Sequence, residues 1–542
     1  MKTSLILKTA LAAALTGIVV ASPLAVQAAN STSAVRNNVP AIVGHSHLQG
    51  RHDQNSTLAL TVSLKLRNTA ALASFLRDVQ NPYSQQYHHF LTPQQFTEQY
   101  GPTQAQVDAV VQFLNRSGIR VKDVSSNRLL IHARGQSSVI EQAMNVVIND
   151  YTSADGATFY ASATNPTLPA PITASVQSVI GLSNAAVLRP MHRPAVPNKG
   201  KPGGGGGTPS GFSPQQIATA YNWPAITSTA NGTGATIAVA TAYTFKSSDV
   251  TGFWSQYGLP NHTVSIISVD GKTHRTDTET TLDIQRSGAM APGATILVYE
   301  AANAQLTTFT DTYNQVVVDN QADVMTTSWG LYESGMSTAT LQTDDDIFAQ
   351  ASAQGIALFA AAGDNGSSDG TSNNDTADFP SSDPYVTAAG GTTLTLNSNG
   401  TINSETVWSG TGGADSGYFS EPSWENVRNV PQNGHRVTSD LSMDADPQTG
   451  YSVLTGGRWS VYGGTSFVAP ELAGLFAVRS GQVGRLGQVN ALIYQDAGTS
   501  NYSTDFFDIT SGSNGAFSAG SYWDHPTGWG TPNASNLISH IQ

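Results

Sequence analysis

The spacing of apolar and polar positions divides this chain into short runs of two kinds. Near the front, residues 56–66 alternate apolar and polar side chains, the pattern of a half-buried strand, and 126–133 read the same way. Residues 70–80, 103–116 and 136–147 instead carry apolar side chains at helical spacing. Together these predict a small α+β unit. Further on, 235–242, 294–301, 322–328 and 355–362 are continuous apolar runs, the kind found in parallel strands buried on both faces. Helical stretches at 277–289, 307–320 and 341–354 lie between them. Strand–helix alternation predicts a doubly wound parallel sheet with its working groups at the carboxyl ends of the strands. From about residue 392 the chain is richer in Gly, Ser and Thr and reads as turns, short strands and one later helix.

The first 29 residues follow neither pattern. Lys2 and Lys8 give a basic start, residues 11–20 are apolar, and Val26-Gln27-Ala28-Ala29 offers small residues for cleavage. This predicts a secretory signal peptide over 1–29 and a protein that is extracellular or periplasmic. The apolar run is too short for a membrane span. A second break comes at 191–210, where five consecutive glycines, Gly203 to Gly207, stand between prolines. Such a stretch reads as a linker. The predicted layout is therefore a signal peptide, a pro-domain over 30–190, a linker with a maturation site over 191–210, and a catalytic domain over 211–542.

Charge sharpens that division. Residues 1–207 hold 16 Lys and Arg against 8 Asp and Glu, a net of +8, whereas residues 208–542 hold 9 against 30, a net of −21. No Lys or Arg occurs between Arg286 and Arg428. Two parts of opposite charge should attract at neutral pH, and so acidic a catalytic part argues against nucleic-acid binding. The chain contains no cysteine, so disulfides and thiolate metal sites are excluded.

Four segments carry candidate chemistry. Gly463-Gly464-Thr465-Ser466-Phe467-Val468-Ala469-Pro470 sets a serine after two glycines and ahead of an apolar helical stretch, where a helix dipole favours developing negative charge. This string resembles the nucleophile segment of subtilisin-type peptidases, but none of the 12 histidines lies in the His-Gly-Thr setting of their base. His274 and His435 are the alternatives for such a base, and neither has that context. Glu279 and Asp283 stand at i and i+4, on one face of a helix, where mutual repulsion raises one pKa and leaves a base for acidic conditions. Asp364 ends an apolar run in Gly363-Asp364-Asn365-Gly366. A protonated Asp there can donate a hydrogen bond to an oxyanion. Near the end, Asp508 and Asp524 sit on glycine-containing loops whose hard oxygens suit calcium.

The order Glu-x-x-x-Asp, Gly-Asp-x-Gly, Gly-Gly-Thr-Ser-x-x-x-Pro resembles the sedolisin (serine-carboxyl peptidase) family, kumamolisin-like members included. So do Ser328-Trp329-Gly330, the segment from Phe379 to Ala388, and Asp444-Ala445-Asp446-Pro447. Asn81-Pro82-Tyr83-Ser84 and Tyr87-His88-His89-Phe90-Leu91-Thr92-Pro93 resemble the family's activation domain. The resemblance implies a subtilisin-like α/β catalytic domain behind an α+β pro-domain that acts as intramolecular inhibitor and chaperone. It implies a self-activating acid serine endopeptidase, monomeric, acting on proteins or peptides and not on nucleic acid or membranes. Glu279, Asp283 and Ser466 would form its triad and Asp364 its oxyanion partner. It also implies one structural calcium ion held by Asp508, Asp524 and the carbonyls of Ile509, Gly520 and Tyr522. One feature departs from the pattern: no acid follows the strand at 237–243, where some members carry an extra Glu.

Overall fold

A computed structural model describes residues 31–195, 209–224 and 230–541. The stretch read as a signal peptide and residues 196–208 of the linker lie outside the described residues.

In the front part four strands form an antiparallel sheet: β1 (Thr57–Leu64), β2 (Arg120–Val124), β3 (Leu130–Gln136) and β4 (Val176–Ile180), in the order β2-β3-β1-β4. Helices α1 (Thr69–Gln80), α2 (Gln104–Arg116) and α3 (Ser137–Met144) accompany it. Thr103 starts α2 with a capping box: its hydroxyl accepts from the Gln106 N–H while the Gln106 side chain accepts from the Thr103 N–H. Leu58, Leu60, Val62 and Leu64 on one face of β1 enter the core of this domain.

On the other face Thr57 and Ala59 are exposed, but Thr61 and Ser63 are buried although polar. This buried end docks on two helices of the second domain, α5 (Leu306–Asp319) and α6 (Thr338–Ala353), which follow α4 (Thr278–Met290) in the chain. Thr343 on α6 donates to Ser63 Oγ at 3.1 Å and meets Ser178 Oγ of β4 at 2.8 Å. Asn127 donates to both Asn314 and Gln350. Ion pairs across the interface are few among the described residues: His132 to Asp311 at 3.0 Å, His192 to Glu279 at 2.5 Å, Lys122 to Asp270 at 3.9 Å, and Arg193 to Asp364 at 3.9 Å. Opposite net charges thus meet mainly through neutral hydrogen bonds and apolar contacts such as Leu129 and Leu130 on the second domain's core.

The second domain is built on a sheet containing β5 (Thr236–Ala242), β6 (Val264–Val269), β7 (Thr295–Ala301), β8 (Val324–Thr327), β9 (Ala357–Ala361), β10 (Val386–Leu396) and β11 (Ile402–Val407). The order is β6-β7-β5-β8-β9-β10-β11, parallel throughout except for the antiparallel β10–β11 edge. Every residue of β8 and β9 is buried, as a sheet covered on both faces requires. The chain runs from β5 to the edge strand β6, comes back to β7 between β6 and β5, then crosses to β8 on β5's other side. That reversal opens a crevice at the carboxyl ends of β5, β8 and β9. Helix α4 and the long helix α7 (Val468–Val483) pack together on one side of the sheet.

Candidate active site

Helix α4 is unusual in that every residue from Glu279 to Met290 is buried, including Glu279, Asp283, Gln285 and Arg286. It packs on β5 of the sheet with α7 beside it and with residues 247–256 and 451–455 against it, so it has no solvent face on which to place charge. Asp277 caps it by accepting the Glu279 N–H at 3.0 Å. Its deepest cation, Arg286, donates Nε to Glu471 of α7 at 2.8 Å and sits 4.7 Å above the Tyr451 ring. Glu279 and Asp283, one turn apart, face the crevice instead.

Ser466 lies in the 3₁₀ turn Thr465–Phe467 that leads into α7. Gly464 before it has φ +118, a conformation that L side chains rarely adopt. A Cβ there would also come within 2.5 Å of Asp364 Oδ2 and 2.8 Å of His192 Cα, and would overlap the Met191 carbonyl oxygen. Asp364 follows β9. Its Oδ1 accepts from both the N–H and the hydroxyl of Thr465, at 2.8 and 2.9 Å. Ser328, which follows β8, donates its hydroxyl to Asp283 Oδ1 at 2.7 Å. The four residues singled out in the sequence are therefore brought to one cleft by α4, β9 and the turn before α7.

Each of the four presents a buried polar atom without a hydrogen-bond partner: Glu279 Oε1, Asp283 Oδ2, Asp364 Oδ2 and Ser466 Oγ. Buried polar atoms are normally paired, so four orphans in one cleft mark a place prepared for another molecule. Burial pushes the Asp364 carboxyl up to about 7, against the pull of the Thr465 donors and Arg193. Burial and then the charge of Glu279 push Asp283 well above the usual carboxylate range. Burial raises Glu279 too, offset chiefly by the charge of His192.

His192, in the stretch read as linker, is the histidine that reaches this site. Its Nδ1 meets Glu279 Oε2 at 2.5 Å. Burial works against the imidazolium, but Glu279, with Asp277 and Asp364 behind it, holds His192 above its usual value. His274 is exposed, and His435 Nδ1 lies at 3.0 Å from the Ser416 carbonyl. Neither touches Ser466. Where some relatives are expected to carry an extra Glu, Thr241 Oγ1 accepts the Trp329 indole N–H at 3.0 Å and meets Thr280 Oγ1 at 3.0 Å.

At the C-terminal loops, Asp508 accepts the Tyr522 N–H at 3.1 and 3.2 Å and the Tyr502 hydroxyl at 2.8 Å. Asp524 accepts from Gly520 N–H and from the N–H and hydroxyl of Thr527. Burial, with a further push from Asp508, lifts Asp524 to about 6. Among the described residues the carbonyls of Ile509, Gly520 and Tyr522 accept no hydrogen bond. Two carboxylates near enough to push on each other and three carbonyls without a hydrogen bond offer hard oxygens of the kind a calcium ion takes.

Both parts of the chain resemble known proteins. Residues 44–185 match the pro-kumamolisin activation domain, and residues 261–530 match the subtilase family. Sedolisin of Pseudomonas sp. (strain 101) is 33% identical over 90% of this chain and 87% of its own length. Kumamolisin of Bacillus sp. (strain MN-32) is 32% identical over 75% of this chain and 78% of its own. A solved structure of Pseudomonas sedolisin, described as a serine-carboxyl proteinase complexed with two molecules of pseudo-iodotyrostatin, superposes with a TM-score of 0.56 at 31% identity. It covers 62% of this chain and 99% of that one.

Proposed function

This chain belongs to the sedolisin family and is a serine-type peptidase with an inhibitory pro-domain, and from that premise we propose a secreted, self-activating acid endopeptidase that works through Ser466, Glu279, Asp283 and Asp364. The observation that carries the reading is the set of four unpartnered buried atoms in the cleft. Ser466 Oγ attacks the substrate carbonyl while Glu279 takes its proton. The oxyanion is met by the Ser466 backbone N–H and by a proton on Asp364 Oδ2, since Oδ1 is already engaged by two donors from Thr465. Glu279 returns the proton to the leaving amine, and water activated by the same carboxylate clears the acyl-enzyme. Asp283, kept neutral by burial and by Glu279's charge, keeps the pair's proton and helps Glu279 stay ionised. All four working residues come from one chain, which supports the reading of a monomer acting on protein substrates. Hydrolysis of an unfolded protein at acidic pH, with labelling of Ser466 by a fluorophosphonate, tests the assignment. A folded protein that neither reacts with the label nor cuts substrate would refute it.

The pH dependence follows from the two carboxyls with opposite duties. Glu279 must be ionised, so activity falls as pH drops through its pKa. Asp364 must be protonated, so activity falls as pH rises through about 7. Asp364→Asn supplies a donor that does not titrate. It should retain acid activity and lose that alkaline limb, whereas Asp364→Ala should cost roughly 10²–10³-fold in kcat. An alkaline limb unchanged in Asp364→Asn would take Asp364 out of the oxyanion site.

For the C-terminal loops we propose one calcium ion held by Asp508, Asp524 and the carbonyls of Ile509, Gly520 and Tyr522. When bound it supplies a staple between loops in a chain without cysteine. At a calcium concentration 100 times Kd, binding to the native state alone would add about 2.7 kcal/mol. Chelation should lower the Tm, and Asp508→Ala should abolish that response. An identical melting curve with and without chelator, and no calcium in metal analysis, would refute the site.

A further inference from the structure

We propose that the Met191–His192 peptide bond is the first one the enzyme cuts in its own chain, with Met191 in the acyl position and His192 the first residue on the leaving side. This deepens the peptidase reading above and rests on it. The glycine-rich stretch at 203–207 is the obvious place for a maturation cut by sequence, but the residues just ahead of it lie across the cleft as a bound substrate would.

On the acyl side, Arg189–Pro190 runs antiparallel to Trp329–Tyr332, with Arg189 opposite Gly330 and Pro190 opposite Trp329. Met191 N–H donates to the Ser328 carbonyl at 3.0 Å. On the leaving side, Arg193–Pro194 runs antiparallel to Arg458–Gly463, and Ala195 N–H donates to the Val461 carbonyl at 2.9 Å. Neither proline can donate, and in both pairs the bond is made by the residue that follows the proline. Two Arg-Pro units thus clamp the segment on either side of Met191-His192.

Between the clamps, the Met191 carbonyl oxygen accepts the Ser466 N–H at 2.9 Å. It crowds the same space above Gly464 as Asp364 Oδ2 does. The carbonyl therefore already meets one of the two groups assigned to the oxyanion and lies on the same side of Gly464 as the other. The Met191 side chain is buried, 3% exposed, within the catalytic domain's core cluster. His192 Nδ1 holds Glu279 Oε2, which leaves Oε1 as the oxygen open to the Ser466 proton.

The step balances without any further reagent. Ser466 Oγ bonds to the Met191 carbonyl carbon as its proton passes to Glu279. The bond from that carbon to the His192 nitrogen then breaks, and the proton moves to that nitrogen. Water afterwards releases Met191 as a carboxylate and leaves His192 as a new amino terminus. His192's imidazolium keeps the buried base ionised at the start of this sequence, so the leaving residue helps its own departure.

The test is brief acid treatment of the purified full-length precursor, followed by intact-mass analysis and N-terminal sequencing. The expected first fragments end at Met191 and begin at His192. A first new terminus within 196–210, absent in Ser466→Ala, would overturn the bond assignment while leaving the peptidase reading intact. A precursor that digests other proteins but never cuts itself would do the same. If neither the precursor nor any substrate is cut, the peptidase reading itself fails. A second arm avoids folding altogether: a synthetic peptide spanning residues 187–196 should be cut by mature enzyme between Met and His, and cutting elsewhere would overturn the assignment. Met191→Asp should slow the first cut at least 10-fold; an unchanged rate at that bond would show that Met191 does not occupy the acyl pocket.

Discussion

Ser466→Ala is expected to accumulate as a full-length precursor at acidic pH and to lose roughly 10⁶-fold of its activity on protein substrates, the scale seen when the nucleophile of a comparable triad is removed. The size of the loss comes from chemistry and not from folding. Ser466 Oγ has no hydrogen-bond partner among the described residues, so its removal breaks no bond of the fold. The turn that presents it is held by Gly464 and by Asp364's hold on Thr465, and alanine disturbs neither. The Ser466 N–H is a backbone donor and survives the substitution, so the oxyanion site stays half built. The variant should therefore melt within about 0.5 kcal/mol of the parent while being chemically silent. Gly464→Ala makes the opposite case: nucleophile and base remain, but the new methyl group collides with Asp364 and with the chain at 191–192. Wild-type maturation of Ser466→Ala in a protease-free preparation would refute self-cleavage by this serine.

How much of this could be read from the residues depends on what buries them. The parallel strands announced themselves, since Ile237 to Ala240 and Ala357 to Ala361 are apolar on both faces, and the sheet is covered on both. Helix boundaries fell within three residues of the spacing, because caps such as Thr103 leave a local mark. Thr61 and Ser63 did not reveal their role: alternation with Leu60 and Val62 reads as a solvent face, and only the docked helices α5 and α6 make it an interface. The four cleft residues were legible through motif order. The nearness of Glu279 and Asp283 followed from helical spacing, but the absence of solvent around α4 did not. His192 was missed altogether. Its neighbours Pro190 and Pro194 and the glycines beyond suggest a loose linker, and strand pairing to 329–332 and 458–463 depends on partners far away in sequence. The one local signal was the repeated Arg-Pro on either side of Met-His.

Glu279→Gln is the second large effect, an expected loss of roughly 10²–10⁴-fold from removing base catalysis. The comparison with Asp283→Asn gives the assignment its sharpest form. In the pair, burial raises both carboxyls, but Glu279 is pulled back by its neighbours whereas Asp283 is pushed further up by Glu279's charge. Asp283 thus holds the proton, and a neutral Asn resembles its working state. Glu279 works as an anion, and a neutral Gln does not resemble it. Glu279→Gln should therefore be more damaging than Asp283→Asn, although the two substitutions remove one acid each from adjacent turns of α4. The pH profile separates a chemical loss from a structural one. The parent should lose activity on the acid side as Glu279 takes up its proton, and the residual activity of Glu279→Gln should show no such limb. His274→Ala and His435→Ala, which touch nothing in the cleft, should stay within about threefold of the parent, a change of well under 1 kcal/mol. A Glu279→Gln enzyme within tenfold of wild type, or one whose acid limb is unmoved, would mean that another group takes the serine proton.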